Sequence, residues 1–330
     1  MEQQILTSAQ ENKTDYSALH EAMRAIKKEI HQLIVGQEQL IELLLVAMLA
    51  EGHVLIEGVP GIAKTLTAKL MARTVQADFS RIQFTSDLMP SDVLGTSVFH
   101  PGTATFDYKK GPIFANIVLI DEINRAPAKT QASLFEVMEE QHITHDGVVY
   151  PLAPPFVVLA TQNPIEQEGT YRLPEAQLDR FMFKVVAGYP TLEEEVAILD
   201  LQHKGTDLKQ DLERVQPVLS SEQLLELRQA VQAVHVDKKL LEYIARITGE
   251  TRASKSLYLG ASPRASLALM NASKALATLR GRGFVTPDDV QELAPAVLRH
   301  RILLTPEREM EGITPDEVIK QIVQKIEVPR

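Results

Sequence analysis

From about Tyr16 to Ile34, the apolar residues Leu19, Met23, Ile26, Ile30 and Leu33 recur at helical spacing, so this stretch is expected to be an amphipathic helix. Val35-Gly36 breaks it, and a second helix is expected from roughly Glu38 to Ala50. The pattern then changes to short apolar runs separated by helical stretches. Val54-Leu55-Ile56 is the first, Phe79 to Phe84 reads as a strand, Ile117 to Ile120 as a fully buried one and Val157 to Ala160 as another, with Met182 to Val186 the fifth. Runs of Val, Ile and Leu without polar alternation indicate a parallel sheet covered by helices on both faces.

Gly188-Tyr189-Pro190 marks a change of character, and beyond it only helices are expected. Two of them carry clear start signals. Thr286-Pro287-Asp288-Asp289 offers an N-cap Thr, a Pro at the first helical position and acids in the first turn. Thr314-Pro315-Asp316-Glu317 repeats the device with a capping-box Glu, ahead of Val318, Ile322 and Ile326 on one face. The chain therefore divides into a loose polar lead-in at 1–14, an α/β domain at 15–189 and a helical domain at 190–330.

Composition narrows the function. The 45% apolar and 24% charged fractions are those of an ordinary globular protein. A net charge of −10 opposes nucleic-acid binding. The absence of cysteine excludes disulfides, thiolate metal sites and cysteine nucleophiles. The start of the chain has no apolar core of signal-peptide length, and Leu40 to Ala50 is too short to span a bilayer. A cytoplasmic protein with no membrane segment is expected.

The chemistry concentrates in Gly58-Val59-Pro60-Gly61-Ile62-Ala63-Lys64-Thr65, which follows an expected strand and opens an expected helix running on through Leu66. That is the context of a phosphate-binding loop, in which backbone N–H groups and the helix N-terminus face phosphate oxygens. Lys64 would neutralise the β- and γ-phosphates and Thr65 would ligate Mg²⁺. Ala63 stands where a last Gly is usual, which a small side chain would tolerate if the backbone there is already near-helical. A second motif, Ile117-Val118-Leu119-Ile120-Asp121-Glu122, is a buried strand ending in two acids. Asp121 suits the Mg²⁺ shell and Glu122 suits the base that polarises the attacking water.

Asn163, after the Val157–Ala160 run, is placed to orient that water. Arg180 precedes the fifth strand, and Arg264 lies in the first turn of a helix starting at Ser262-Pro263. A helix start disfavours a cation, so Arg264 is expected to have an anionic partner, for which a γ-phosphate would serve. Arg125 and Arg172 are weaker candidates of the same kind.

In the order of these motifs the sequence resembles AAA+ ATPases, and within them the MoxR family. The resemblance rests on the loop with its Ala before Lys, Asp121-Glu122-Ile123-Asn124-Arg125-Ala126-Pro127, Ala160-Thr161-Gln162-Asn163-Pro164 and Leu173-Pro174-Glu175-Ala176-Gln177-Leu178-Asp179-Arg180-Phe181. It implies a P-loop AAA+ core, a five-stranded parallel sheet flanked by helices, followed by a small all-α lid. It also implies a ring homo-oligomer, usually a hexamer, with ATP and Mg²⁺ between subunits. Lys64 and Thr65 match the Walker A pair, Asp121 and Glu122 the Walker B pair and Asn163 sensor 1. Arg180 matches the arginine finger, Arg264 sensor 2, and Val35-Gly36-Gln37 the segment that contacts adenine. Residues at about 88–112, interrupting the second core helix, and at 141–156, a hairpin with an Asp-Gly turn, match the family's insertions.

The resemblance favours chaperone-like remodelling or maturation of client complexes, metal or cofactor insertion included, with a von Willebrand factor A domain protein as a separate partner. A nucleic-acid motor, a metal-chelatase ATPase subunit and a slow nucleotide-dependent switch are the alternatives. The acidic charge and the lack of Lys or Arg in 141–156 count against the first of these.

Overall fold

The computed structural model describes residues 16–59, 61, 63–163, 170–203 and 208–329. The polar lead-in, and Pro60, Ile62 and Pro164 of the motifs above, lie outside the described residues.

The chain opens with α1 (Tyr16–Ile30) and α2 (Glu38–Leu49), followed by β1 (Val54–Gly58), α3 (Lys64–Thr74) and β2 (Phe79–Gln83). A short α4 (Pro90–Leu94) leads into a hairpin of β3 (Gly95–His100) and β4 (Thr105–Lys110), then β5 (Ile117–Asp121) and α5 (Ala128–Glu140). A second hairpin, β6 (His142–His145) and β7 (Val148–Pro151), precedes β8 (Val157–Gln162), α6 (Glu175–Leu178) and β9 (Phe183–Ala187). The remainder comprises α7 (Leu192–His203), α8 (Leu208–Arg214), α9 (Ser221–Gln232), α10 (Lys238–Ala253), β10 (Leu257–Leu259) and α11 (Pro263–Leu279). It ends with α12 (Pro287–Leu298), β11 (Leu303–Leu304), α13 (Pro306–Met310) and α14 (Pro315–Lys325).

The five expected strands form one parallel sheet in the order β2-β5-β8-β1-β9. Its central strands are covered on both sides, which is why their sequences show no polar alternation: all five residues of β5 are buried. One face, with Ile56, Leu119 and Leu159, packs against α1, α2 and α3. The other, with Leu55, Ile120 and Val158, packs against Leu134, Phe135 and Met138 of α5. Among the described residues no helix is long and apolar enough to cross a membrane.

The helical region leans on the core rather than standing clear of it. Its α11 lies against α1 and α2, and Leu269, Leu276 and Val297 share one apolar cluster with Leu44 and Ile26. Arg228, almost wholly buried, donates to the carbonyl of Met48 at 2.8 Å and so caps the end of α2. Both helix starts read from the sequence form as expected, with capping boxes at Thr286 and Thr314. One expectation is overturned: the region contains a small antiparallel pair, β10 with β11. These strands have three and two residues and pair across a long sequence separation, so no local run announces them.

The two insertions meet. Ser97 Oγ lies 2.9 Å from His145 Nε2 and 2.9 Å from Asp146 Oδ2, and the Tyr108 ring stacks on His145 and Tyr150 at 4.8 and 4.4 Å. The expected Asp-Gly turn is present, with Asp146 and Gly147 both at positive φ. In the first insertion the helical part is confined to α4, and the chain runs from β4 to β5 without resuming a helix.

Candidate functional site

The loop between β1 and α3 leaves the carboxyl edge of the sheet. Lys64 Nζ folds back to donate to the Gly58 carbonyl at 2.9 Å. Gly61 has φ +89°, and among the described residues, its chain neighbours aside, no atom lies within 4 Å of the position a Cβ would take. Ala63 corrects the sequence expectation: its backbone is left-handed (φ 58°, ψ 21°), not near-helical. A left-handed Ala costs roughly 1–2 kcal/mol, a strain tolerated where the chain must turn sharply into α3. Ala63 offers no side-chain cap and the first turn of α3 has no acid. The N–H groups at this helix end therefore remain available to an anion. Thr65 follows within that same first turn.

The acidic pair sits beside the loop. Asp121 ends β5 almost buried, with its Oδ2 accepting from Arg81 Nε at 2.6 Å and its Oδ1 from Thr161 Oγ1 at 3.2 Å. Glu122 is left-handed (φ 58°, ψ 51°), which swings its carboxylate out of the strand's alternation. Its N–H donates to Thr161 Oγ1 at 3.0 Å, and its Oε2 accepts from Gln83 Nε2 and Arg125 Nε, each at 2.9 Å. Burial pulls the Lys64 ammonium below the usual lysine range, while the nearby carboxylates of Asp121 and Glu122 act the other way. Asn163 follows the last residue of β8, whose Ala160 is in register with Ile120. One ammonium, one hydroxyl-bearing helix start and two carboxylates therefore converge at this edge. That donor set fits a polyphosphate chelated to Mg²⁺: Lys64 and the loop N–H groups for the phosphates, Thr65 and Asp121 for the metal.

A hollow of about 190 Å³ adjoins the loop. Val35, Gln37, Gly61, Ala63 and Leu66 line it, and its far wall is Pro190, Ile198 and Leu201 of the α7 region, which sequence reasoning missed. Gly36 faces α7 instead. It has φ +66°, and a Cβ there would fall 2.0 Å from Glu194 Oε1.

Arg180 and Arg264 are not at this edge. Arg180 precedes β9, and the parallel register Val54↔Phe183 to Gly58↔Ala187 puts it at the amino edge of the sheet. The length of β1, about 13 Å, separates that edge from the loop. Arg264, at the start of α11, lies beside Arg180, and both pair with Glu139 in the last turn of α5. The structure thus brings Lys64, Thr65, Asp121, Glu122 and Asn163 together and gathers the two arginines elsewhere. Arg125 joins the first group through Glu122, whereas Arg172 forms an exposed pair with Glu175 at 3.1 Å. Arg81, Gln83, Thr161 and Glu139 were not singled out from the sequence. Their signal is three-dimensional, since each partner lies about 40 or more residues away.

A five-stranded parallel sheet in this order, with a phosphate-type loop after β1, an acidic pair ending β5 and a helical lid, defines the AAA+ class. Residues 53–183 match the ATPase family associated with various cellular activities (AAA), and residues 249–322 match an AAA lid domain. The chain is 46% identical to Chaperone MoxR1 of Mycobacterium tuberculosis, over 94% of this chain and 83% of that one. It is 48% identical to the uncharacterized protein YeaC of Bacillus subtilis, over 94% and 96% respectively. A crystal structure of a candidate ATPase from Cytophaga hutchinsonii superposes with a TM-score of 0.88 at 39% identity, covering 96% of this chain and 97% of that chain. The chain belongs to the MoxR family of AAA+ ATPases.

Proposed function

We propose that the protein hydrolyses ATP with Mg²⁺ at a site completed by a neighbouring subunit. The observation that carries this reading is the separation of the two halves. Phosphate- and metal-binding groups stand at one edge of the sheet, and the two arginines able to neutralise a γ-phosphate stand at the other. One chain cannot close them on a single nucleotide. A head-to-tail ring can, because each subunit then presents its Arg180 and Arg264 to the next subunit's Lys64. Rings of this kind, hexamers in the family the chain belongs to, are the expected assembly.

Within the site the roles follow from position. Lys64 and the start of α3 bind the β- and γ-phosphates, while Val35 and the apolar wall of α7 receive the base. Thr65 and Asp121 hold Mg²⁺, which supplies charge neutralisation on the phosphates when bound. Glu122 takes the proton of the attacking water, with Asn163 orienting it. Arg180 and Arg264 of the neighbour stabilise the transferring phosphoryl group, a contribution typically worth about 10³–10⁵ in rate.

The output of the cycle is read as chaperone-like remodelling or maturation of client proteins in the cytoplasm, metal or cofactor insertion among them. A von Willebrand factor A domain protein on a separate chain is the partner the family suggests. The joined hairpins support client contact: Phe99 and Phe106 pair on one at 5.0 Å, exposed together with Val148 and Val149 on the other. Radiolabelled ATP binding and turnover by E122Q tests the hydrolytic reading. Retained binding with turnover abolished is expected, and normal turnover would remove Glu122 as the base.

A further inference from the structure

Glu139 accepts from two cations that belong to different domains. Its Oε2 takes Arg180 Nη1 at 2.9 Å and its Oε1 takes Arg264 Nη2. Arg180 Nη1 also donates to the Phe135 carbonyl, one turn back along α5. An isolated surface ion pair deserves little weight, but here one carboxylate joins a core arginine to a lid arginine.

The backbones around it are tied as well. Asp179, next to Arg180, accepts from Ser262 Oγ at 2.7 Å and from the buried Arg301 Nε at 2.6 Å. Ser262 Oγ in turn accepts the Arg264 N–H at 3.2 Å. The Asp179–Ser262 bridge therefore sets the two arginine backbones side by side, and Glu139 sets their guanidinium ends. Without a carboxylate between them, two like charges so placed would repel and splay. With it, each guanidinium spends one or two of its five donors and keeps the rest for an outside acceptor. The pair plus Glu139 carries a net charge of about +1, suited to a phosphoryl oxygen.

We propose that Glu139 is a positioning residue that holds Arg180 and Arg264 as one two-guanidinium clamp for the γ-phosphate of a neighbouring subunit's ATP. This rests on the composite-site reading above. Glu139 does not touch the nucleotide; it acts through the arginines.

The test compares E139Q, E139D and R180A as full-length assembled proteins. For E139Q, kcat is expected to fall about 10- to 100-fold, the cost of a mispositioned catalytic group, with ATP affinity and oligomer size unchanged. E139D, which keeps the charge on a shorter arm, should recover part of the rate. Mixing E139Q with E122Q, whose clamp is intact, should restore turnover at the E139Q subunits' own loops. Wild-type or faster turnover by E139Q, with R180A impaired, would overturn the clamp and leave the composite site standing. An impaired E139Q that E122Q does not rescue would place the defect within its own subunit and also overturn it. Wild-type turnover by R180A would instead sink the composite site itself. Should E139Q not fold, the same comparisons are read on E139D.

Discussion

Arg81 Nε donates to Asp121 Oδ2 at 2.6 Å, from one strand of the sheet to its neighbour. Arg81 thus sets a cation against the carboxylate assigned to the Mg²⁺ shell. A metal engaging that oxygen competes with it. R81A is therefore expected to lower the Mg²⁺ concentration needed for half-maximal turnover several-fold, with kcat at saturating Mg²⁺ near wild type. A metal titration of the ATPase rate checks this, and an increased Mg²⁺ requirement would show that Arg81 orients Asp121 instead.

Gly36 has a positive φ of +66°, and a Cβ there would displace the Glu194 side chain, whose Oε2 accepts the Thr191 N–H at 2.8 Å ahead of α7. G36A should strain the turn before α2 and break the Glu194–Thr191 bond at the start of α7, loosening the wall of the apolar hollow. ATP affinity is expected to drop by about 10-fold or more, from the loss of roughly 1.4 kcal/mol of base contact. Fluorescent-nucleotide titration of G36A against wild type measures it.

Asp289 is fully buried at the start of α12 and accepts from Arg282, Arg280 and Thr286. Burial works to raise its pKa, but the bonds from Arg282 and Thr286 outweigh it and hold the carboxyl below its usual value. A carboxyl depressed in the fold contributes stability that is present above its unfolded pKa and lost as pH falls towards the folded one. D289A leaves two arginines facing a vacant buried site, and should destabilise the protein by about 3 kcal/mol. Urea unfolding at neutral pH reads the difference.

Two buried histidines set a second pH dependence. Burial takes His53 down to about 4, while Nε2 lies 3.1 Å from the Met138 carbonyl and Nδ1 accepts from the Val158 N–H. Burial, with Arg301 adding, takes His300 well below its usual value. Both are neutral in the fold, so their contribution is complete above about pH 6.5, the unfolded value. It is lost as pH falls from there, and the His53 share is exhausted near pH 4. His53 alone accounts for about 3 kcal/mol over that range. H53Q should flatten the unfolding free energy between pH 6.5 and 4, and an unchanged slope would show that His53 titrates in the folded state.

Much of this was legible in the sequence because it is local. The strands β1, β5 and β8 show as uninterrupted apolar runs, Thr286 and Thr314 as capping signals, and the phosphate loop as a motif with its strand and helix in place. What escaped depends on tertiary contact or on backbone sign. The left-handed turn at Ala63 has no Gly to mark it, because surrounding structure holds an Ala in a strained region. The β10–β11 pair is too short to show a period. The α7 wall of the hollow beside the loop and the double pairing of Glu139 arise only when distant segments meet, Glu139 and Arg264 being 125 residues apart. The order of the motifs matched a composite site in the family, but no local pattern tells that Arg264 stands with Arg180.

The central claim is that a complete site needs Lys64 of one subunit and Arg180 of the next. R180A and E122Q should each be nearly inactive alone, the first lacking the arginine it offers its neighbour and the second the base. Mixed in equal amounts and allowed to assemble, about a quarter of the interfaces would combine an intact Glu122 with an intact arginine from the neighbour. The measurement is the ATPase rate of that mixture against each variant alone. The account predicts turnover restored to a sizeable fraction of wild type. A mixture no faster than its components, in rings shown to contain both, would contradict it.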